Sequence, residues 1–277
     1  MDGIEFTLPC GVFDVKGVLH RKVFMRPWRA KVKRLLGKLN PRKDAAKAVY
    51  IILKETIVGI DGFSTLTDAL LRNMTAPDRE FCAVQARKLS RGNIVESDFS
   101  CSYCGYTRKD MKLDLDKMSI MAMEEFNEDP DLPTIEVEDK PDADGQPTGK
   151  KRFVFHLDIN GPMYGSPDGM VRAKFRLPNG RDMEEIAKVA KKNPVEGDWI
   201  LWSRTCLEWG DEPIPLRGPF WDNLTGAQLE SLEDGFALLD RLGPETVNTI
   251  ECDECERNNL VSVYSTDFLL RLPRSRT

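Results

Sequence analysis

The chain has 277 residues, of which 41% are hydrophobic and 31% charged, and a formal net charge of −5. That length is long for one hydrophobic core and comfortable for two domains or a duplicated one, the apolar share makes burying a core feasible, and the charge leads to the expectation of a soluble protein. No apolar run approaches the roughly 18–20 residues that span a bilayer, and the start, "MDGIEFTLPCG", carries acid where a secretory leader carries base, so synthesis in a cytoplasm is expected.

In chain order, "FTLPCG" (6–11) alternates like a strand, and its Pro-x-Gly predicts a closing turn. Residues 16–47 hold twelve Lys/Arg and one acid, a stripe that could face nucleic acid or solvent. "RAKVKRLLGKL" and "DAAKAVYIILKETIV" read as helices. So does "NMTAPDREFCAVQARKLSRG", with Pro77 at an early helical position, Phe81, Val84 and Leu89 on its apolar side, and Gly92 as its stop. "SCSYCG" then sets Cys101 and Cys104 two residues apart on a turn. Residues 127–151, rich in Asp, Glu, Pro and Gly, read as an exposed linker or long loop.

Beyond the linker, "RFVFHLDI" (152–159) and "MVRAKFRL" (170–177) predict a hairpin, and "RDMEEIAKVAKKN" (181–193) a helix with acids early and bases late. The stretch 199–221 holds four of the five Trp and reads equally as core or as a partner-binding surface. "NLTGAQLESLEDGFALLDRLG" predicts a helix capped at Asn223 or Thr225, with Leu229, Leu232, Phe236 and Leu239 on one face and a left-handed cap at Gly243. "ECDECE" then repeats the knuckle with Cys252 and Cys255.

The second half echoes the first. Each has an Asn-x-Thr helix that stops at Gly, and the first Cys stands nine positions after that Gly in both halves. "FRLPNG" (175–180) matches "FTLPCG". The expected fold is therefore α+β: two divergent repeats of a strand pair, helices and a Cys-x-x-Cys knuckle, joined through one shared metal site. The first repeat covers 1–126 and the second 152–277, with the linker between. Charge separates the halves too. Residues 1–112 hold 21 bases and 12 acids, and the rest hold 19 bases and 33 acids.

Without a secretion signal, four closely paired cysteines favour a metal over disulfides. Cys101, Cys104, Cys252 and Cys255 are the candidate ligands of one zinc ion. Four protein ligands leave no open position for water, which makes the ion structural rather than catalytic. An iron or iron–sulfur centre, a redox dithiol and free thiols are the alternatives. Gly105 after the first pair suits a metal knuckle, whereas Glu256 after the second departs from it. Cys10, Cys82 and Cys206 read as small core residues, and His20 and His156 as surface or satisfied histidines. No phosphate loop, nucleophile elbow or His-Glu-x-x-His run is present, so a non-enzyme is expected.

Residues 6–112 resemble the baseplate hub-assembly family of T-even-like contractile-tailed phages. Leu8, Pro9 and Gly11, then Asp78, Arg79 and Gly92, then Cys101, Cys104 and Gly105 carry the likeness. In the second half the Asp-Arg pair is displaced to Asp240 and Arg241, at the helix end. The resemblance implies a structural or assembly protein of a virion tail baseplate. Its implied partners are other hub, tail-tube or tape-measure proteins, with several copies per particle. The alternative is a zinc-ribbon-containing nucleic-acid-binding protein that uses residues 16–47.

Overall fold

The computed structural model describes residues 3–39, 44–142, 146–160, 169–190, 193–212 and 218–262. It begins with an antiparallel pair, β1 (Ile4–Phe13) and β2 (Leu19–Met25). Helices α1 (Ala30–Leu36) and α2 (Ala45–Thr56) lead to β3 (Ile57–Ile60), which pairs with β2 and completes a sheet in the order β1-β2-β3. Next come α3 (Asp68–Asn73), the long α4 (Ala76–Arg91) and the hairpin β4 (Ile94–Ser100) and β5 (Thr107–Asp114). Ile52 and Leu53 of α2 and Phe81 and Val84 of α4 pack on Leu8, Val23 and Ile60 of the sheet, so the apolar helical stripes form the first core.

The middle of the chain carries β6 (Ile120–Met121), α5 (Met123–Glu128) and β7 (Ile135–Pro141). Then follow β8 (Pro147–Asn160), β9 (Met170–Arg176), α6 (Gly180–Val189), α7 (Pro194–Thr205) and β10 (Cys206–Trp209). Next stand α8 (Gly218–Asp222) and α9 (Gly226–Leu238), which tightens into a 3-10 turn at Leu239–Arg241. β11 (Gly243–Pro244) and the hairpin β12 (Val247–Glu251) and β13 (Asn258–Ser262) end the described chain. The fold is thus mixed α and β. The second sheet runs β10-β9-β8-β7.

Two sequence expectations change, and one open reading closes. The segment 127–151 supplies β7 and the first residues of β8 instead of a plain loop. Ladder pairing with β8 satisfies its backbone while its acids stay outside, and Ile135 goes into the second core together with Met123, Phe126 and Leu132. The Pro-x-Gly of "FTLPCG" does not end β1, which runs on to Phe13. The register instead shifts between Thr7 and Val12, and Gly11 takes φ +99°. The Trp-rich stretch is core: Trp202, Trp209 and Trp221 are buried in contact with Phe175 and Phe236 or with one another.

The order of elements recurs. With β6, α5, β7, the 3-10 turn and β11 set aside, β1-β2-α1-α2-β3-α3-α4-β4-β5 is followed by β8-β9-α6-α7-β10-α8-α9-β12-β13, and β2 and β9 are each flanked by the two strands of the same rank. α2 and α7 each have twelve residues and end on a buried threonine, Thr56 and Thr205. Each hydroxyl donates at 2.7 Å to the carbonyl four residues back, and a four-residue strand follows at once. α4 and α9 are both capped by threonine, Thr75 and Thr225. In this order "FRLPNG", at the β9–α6 junction, answers "FMRPW" (24–28) at the β2–α1 junction, not "FTLPCG" within β1.

The halves interlock at the starts of α4 and α6. Thr75 and Asn179 form an isolated bridge, the Ala76 N–H donates to the Pro178 carbonyl at 2.8 Å, and the Arg79 guanidinium lies where a Cβ on Gly180 would be. β6 pairs with β11, which seats Gly243 at φ +91° against Pro77 and aims the last hairpin at β4–β5. Beside this junction the buried Asp78 carboxylate accepts from Cys10 N–H (2.8 Å), Gly11 N–H (3.0 Å) and the Thr75 hydroxyl (2.8 Å). It takes up the two β1 amides that the bulge removes from the ladder. Burial pushes this acid up to about 6, against those bonds.

Candidate metal centre

Each knuckle is the turn of a hairpin. The Cys101 N–H donates to the Tyr106 carbonyl (2.8 Å), and the Gly105 N–H donates to the Cys101 carbonyl (3.1 Å). In the second knuckle the Cys252 N–H donates to the Arg257 carbonyl (3.0 Å), and the Glu256 N–H donates to the Cys252 carbonyl (2.9 Å). The two frames coincide position for position. The residue after the second cysteine is left-handed in both, Gly105 at φ +74° and Glu256 at φ +56°. Glu256 therefore does not spoil the second knuckle; it accepts a conformation that costs an L-residue on the order of 1 kcal/mol.

The hairpins face each other and bring all four predicted ligands together. Cys101 Sγ lies 3.7 Å from Cys255 Sγ, and Cys104 Sγ lies 3.6 Å from Cys252 Sγ. All four sulfurs fall within 4.8 Å of one another, so the group could hold a metal ion. Sulfurs at about 2.3 Å from a tetrahedral ion sit about 3.8 Å apart, close to the shortest spacings here. The spacing is far too long for disulfides. Cys101 and Cys252 are buried with Phe99, Met111 and Ile250 in a small core of their own, whereas Cys104 is exposed.

The electrostatics of four adjacent thiols are uneven. Burial opposes a thiolate at Cys101, but the N–H groups of Cys104 and Tyr103 and the Asn259 amide outweigh it and hold the thiol down at about 6. At Cys104 the Tyr106 N–H favours the thiolate, yet burial and the three facing sulfurs together push it up to about 12. For all four to be thiolates together, a cation would have to sit among them.

Two latches outside the cysteine set join the hairpins. The Asn259 Oδ1 accepts from the Ser102 N–H and hydroxyl, each at 2.9 Å, and its Nδ2 donates to the Arg257 carbonyl (2.9 Å) and toward Cys101 Sγ (3.5 Å). Reciprocally, Arg108 of the first hairpin donates to Asp253 at 2.9 Å and 3.0 Å. Each latch runs from the seventh residue after one hairpin's first cysteine to the residue just after the other's. The arrangement has the self-complementary logic of a two-fold interface. Motif reading missed these four residues. Their one sequence signal is the equal offset from Cys101 and Cys252, which means nothing until the hairpins meet.

Compared with protein families, curated proteins and solved structures, the chain matches none.

The remaining candidates lie apart from this centre. Cys10, Cys82 and Cys206 are buried in the two main cores, as expected, and burial raises all three thiols. His20 packs against Phe63 and between Asp14 and Asp61, and His156 is half-buried in β8. The basic stripe of 16–47 spends part of its charge inside the molecule. Arg21 pairs with Glu124, Lys22 with Glu5 and Lys31 with Glu55.

Proposed function

We propose that this chain is a non-enzymatic structural protein in which one zinc ion clamps two copies of a duplicated unit. One observation carries the reading: the four sulfurs, from hairpins about 150 residues apart, lie within 4.8 Å of one another and could hold one metal ion. Four ligands close the coordination sphere, so the ion contributes folding free energy and no reactive water. A multi-iron cluster would hold the thiolates farther apart than a single ion does, which favours zinc. The recurring element order, the matching knuckle frames and the reciprocal latches support the duplication.

The baseplate hub is the assembly in which we place it. The residues that resemble that family form one connected unit here, with Asp78 holding Cys10 and Gly11 beside Pro9 and α4 running on to the first knuckle. Hub, tail-tube or tape-measure proteins are the partners this reading expects. Nucleic-acid binding through residues 16–47 has less support, because three of those bases are engaged by acids of the same chain.

Metal analysis of protein purified without chelator should give about one zinc per chain, since four ligands serve one ion. Cys101→Ser should release the zinc and loosen both halves together in limited proteolysis. Two metals per chain, or loosening of the first half alone, refutes the shared clamp. A contractile-tailed phage lacking the protein should accumulate tails with incomplete baseplates, and normal particles would refute the placement.

A further inference from the structure

The two knuckles match in backbone frame but not in exposure. Cys252 is fully buried and Cys101 nearly so, Cys255 is half-buried, and Cys104 is exposed. Cys104 and Cys255 hold equivalent positions, so the difference comes from their surroundings and not from the motif. Residues 102–105 are all exposed, and a Cβ built on Gly105 would meet nothing within 4 Å, so Cys104 sits in a turn open to solvent. Across the hairpin interface, Cys252 Sγ lies 3.6 Å from it. An exposed sulfur with a buried one in reach is the arrangement of a thiol that is oxidised and then resolved by its neighbour. Cys101, the other sulfur near Cys104, accepts from the Tyr103 N–H at 3.4 Å and from the Asn259 amide at 3.5 Å, and both bonds weaken it as a nucleophile.

With hydrogen peroxide as the oxidant the chemistry balances. Coordination keeps Cys104 a thiolate, the form of a cysteine that attacks peroxide. Its sulfur attacks one peroxide oxygen, the O–O bond breaks, hydroxide leaves, and Cys104 becomes a sulfenic acid. With that ligand lost, the site releases its ion and the Cys252 thiolate faces the oxidised sulfur. Cys252 then attacks the Cys104 sulfur. The S–S bond forms, the S–O bond breaks, and a second hydroxide leaves. Two thiolates lose two electrons and one peroxide gains them. A disulfide holds its sulfurs about 2.05 Å apart, so the pair has about 1.5 Å left to close.

We propose that Cys104 is an oxidation site with Cys252 as its resolving thiol, and that hydrogen peroxide converts the metal clamp into a disulfide between the two halves. The inference rests on the metal-clamp reading and deepens it. The new bond would join residues 148 positions apart, and a cross-link over so long a loop restricts the unfolded chain far more than one inside a knuckle. The halves therefore stay joined after the ion has gone. In a baseplate this matters when the particle leaves a reducing cytoplasm for an oxidising medium, in which disulfides persist.

The test treats the full-length, zinc-loaded protein with one equivalent of hydrogen peroxide. A chromogenic chelator should register one zinc ion released for each disulfide formed. Mass spectrometry of unreduced peptides should find Cys104 joined to Cys252, and dimedone added with the peroxide should trap a sulfenic acid at Cys104. In the presence of chelator the oxidised protein should resist limited proteolysis while the untreated protein loosens, and a reducing agent should abolish the difference. Protein that carries no zinc when purified without chelator refutes the clamp and this inference with it. Zinc retained through peroxide treatment, a disulfide within either knuckle, dimedone on another cysteine of the centre, or oxidised protein that loosens as fast as the untreated one overturns the inference and leaves the clamp standing.

Discussion

Asn259→Ala removes a latch and leaves every cysteine in place. The lost contacts are two bonds to Ser102 and one to the Arg257 carbonyl, all at 2.9 Å, and a longer one to Cys101 Sγ at 3.5 Å. At about 1 kcal/mol net for each of the three short bonds, the ceiling is about 3 kcal/mol. Ser102 is exposed, so water recovers part of that when Asn259 is gone. About 1–2 kcal/mol remains, which is roughly tenfold in affinity and within the usual range for an outer-shell partner of a metal ligand. Arg108→Ala gives the internal control. Its partner Asp253 is half-exposed, and a surface ion pair contributes only about 0–1 kcal/mol. Zinc competition against a chromogenic chelator, with thermal melting of the zinc-loaded protein, reads both variants. Asn259→Ala should release zinc about tenfold more readily and Arg108→Ala less than that. If Asn259→Ala binds zinc as tightly as the parent, or if Arg108→Ala loses more, the amide is not what registers the two knuckles.

Asp78→Ala should lower stability by about 3 kcal/mol or more, because two buried β1 amides lose their acceptor, while Asp78→Asn keeps one carbonyl oxygen and should lose less; chemical denaturation checks both. Asp182 is fully buried and meets Arg176 through both oxygens, and although burial opposes ionisation these partners hold its carboxyl below the ordinary carboxylate range. Its contribution is therefore fully present above the unfolded carboxylate pKa of about 3.9 and is lost as pH falls through the lower, folded value. Melting across the acid range should show a shallower slope for Asp182→Asn than for the parent, with about 3 kcal/mol less stability at neutral pH.

Glycine and threonine punctuation made the long helices legible from the chain alone. Thr75 and Gly92 bound α4, Thr225 caps α9, and the apolar residues of each fall on the buried side because a 3.6-residue period assigns the face locally. The cysteine pairs were equally legible, since a two-residue gap brings both sulfurs of one turn toward one point. The acidic middle segment was not. Composition says that Glu136 and Glu138 stay outside but not that the backbone between them pairs with β8, because ladder partners are chosen across the sheet. The likeness of "FTLPCG" to "FRLPNG" misled for the same reason, as one lies in a strand interior and the other at a helix start.

The sequence by itself determined α1, α2, α4, α6 and α9, the knuckles and the chemistry of their sulfurs, because those depend on neighbours within a turn or two. The tertiary structure alone decided that hairpins 151 residues apart would face each other, that Asn259 and Arg108 would become reciprocal latches, and that Asp78 would take up the Cys10 and Gly11 amides. Each of these is a distance between segments remote along the chain, set by how α4, α6 and α9 pack, and local periodicity carries no information about it.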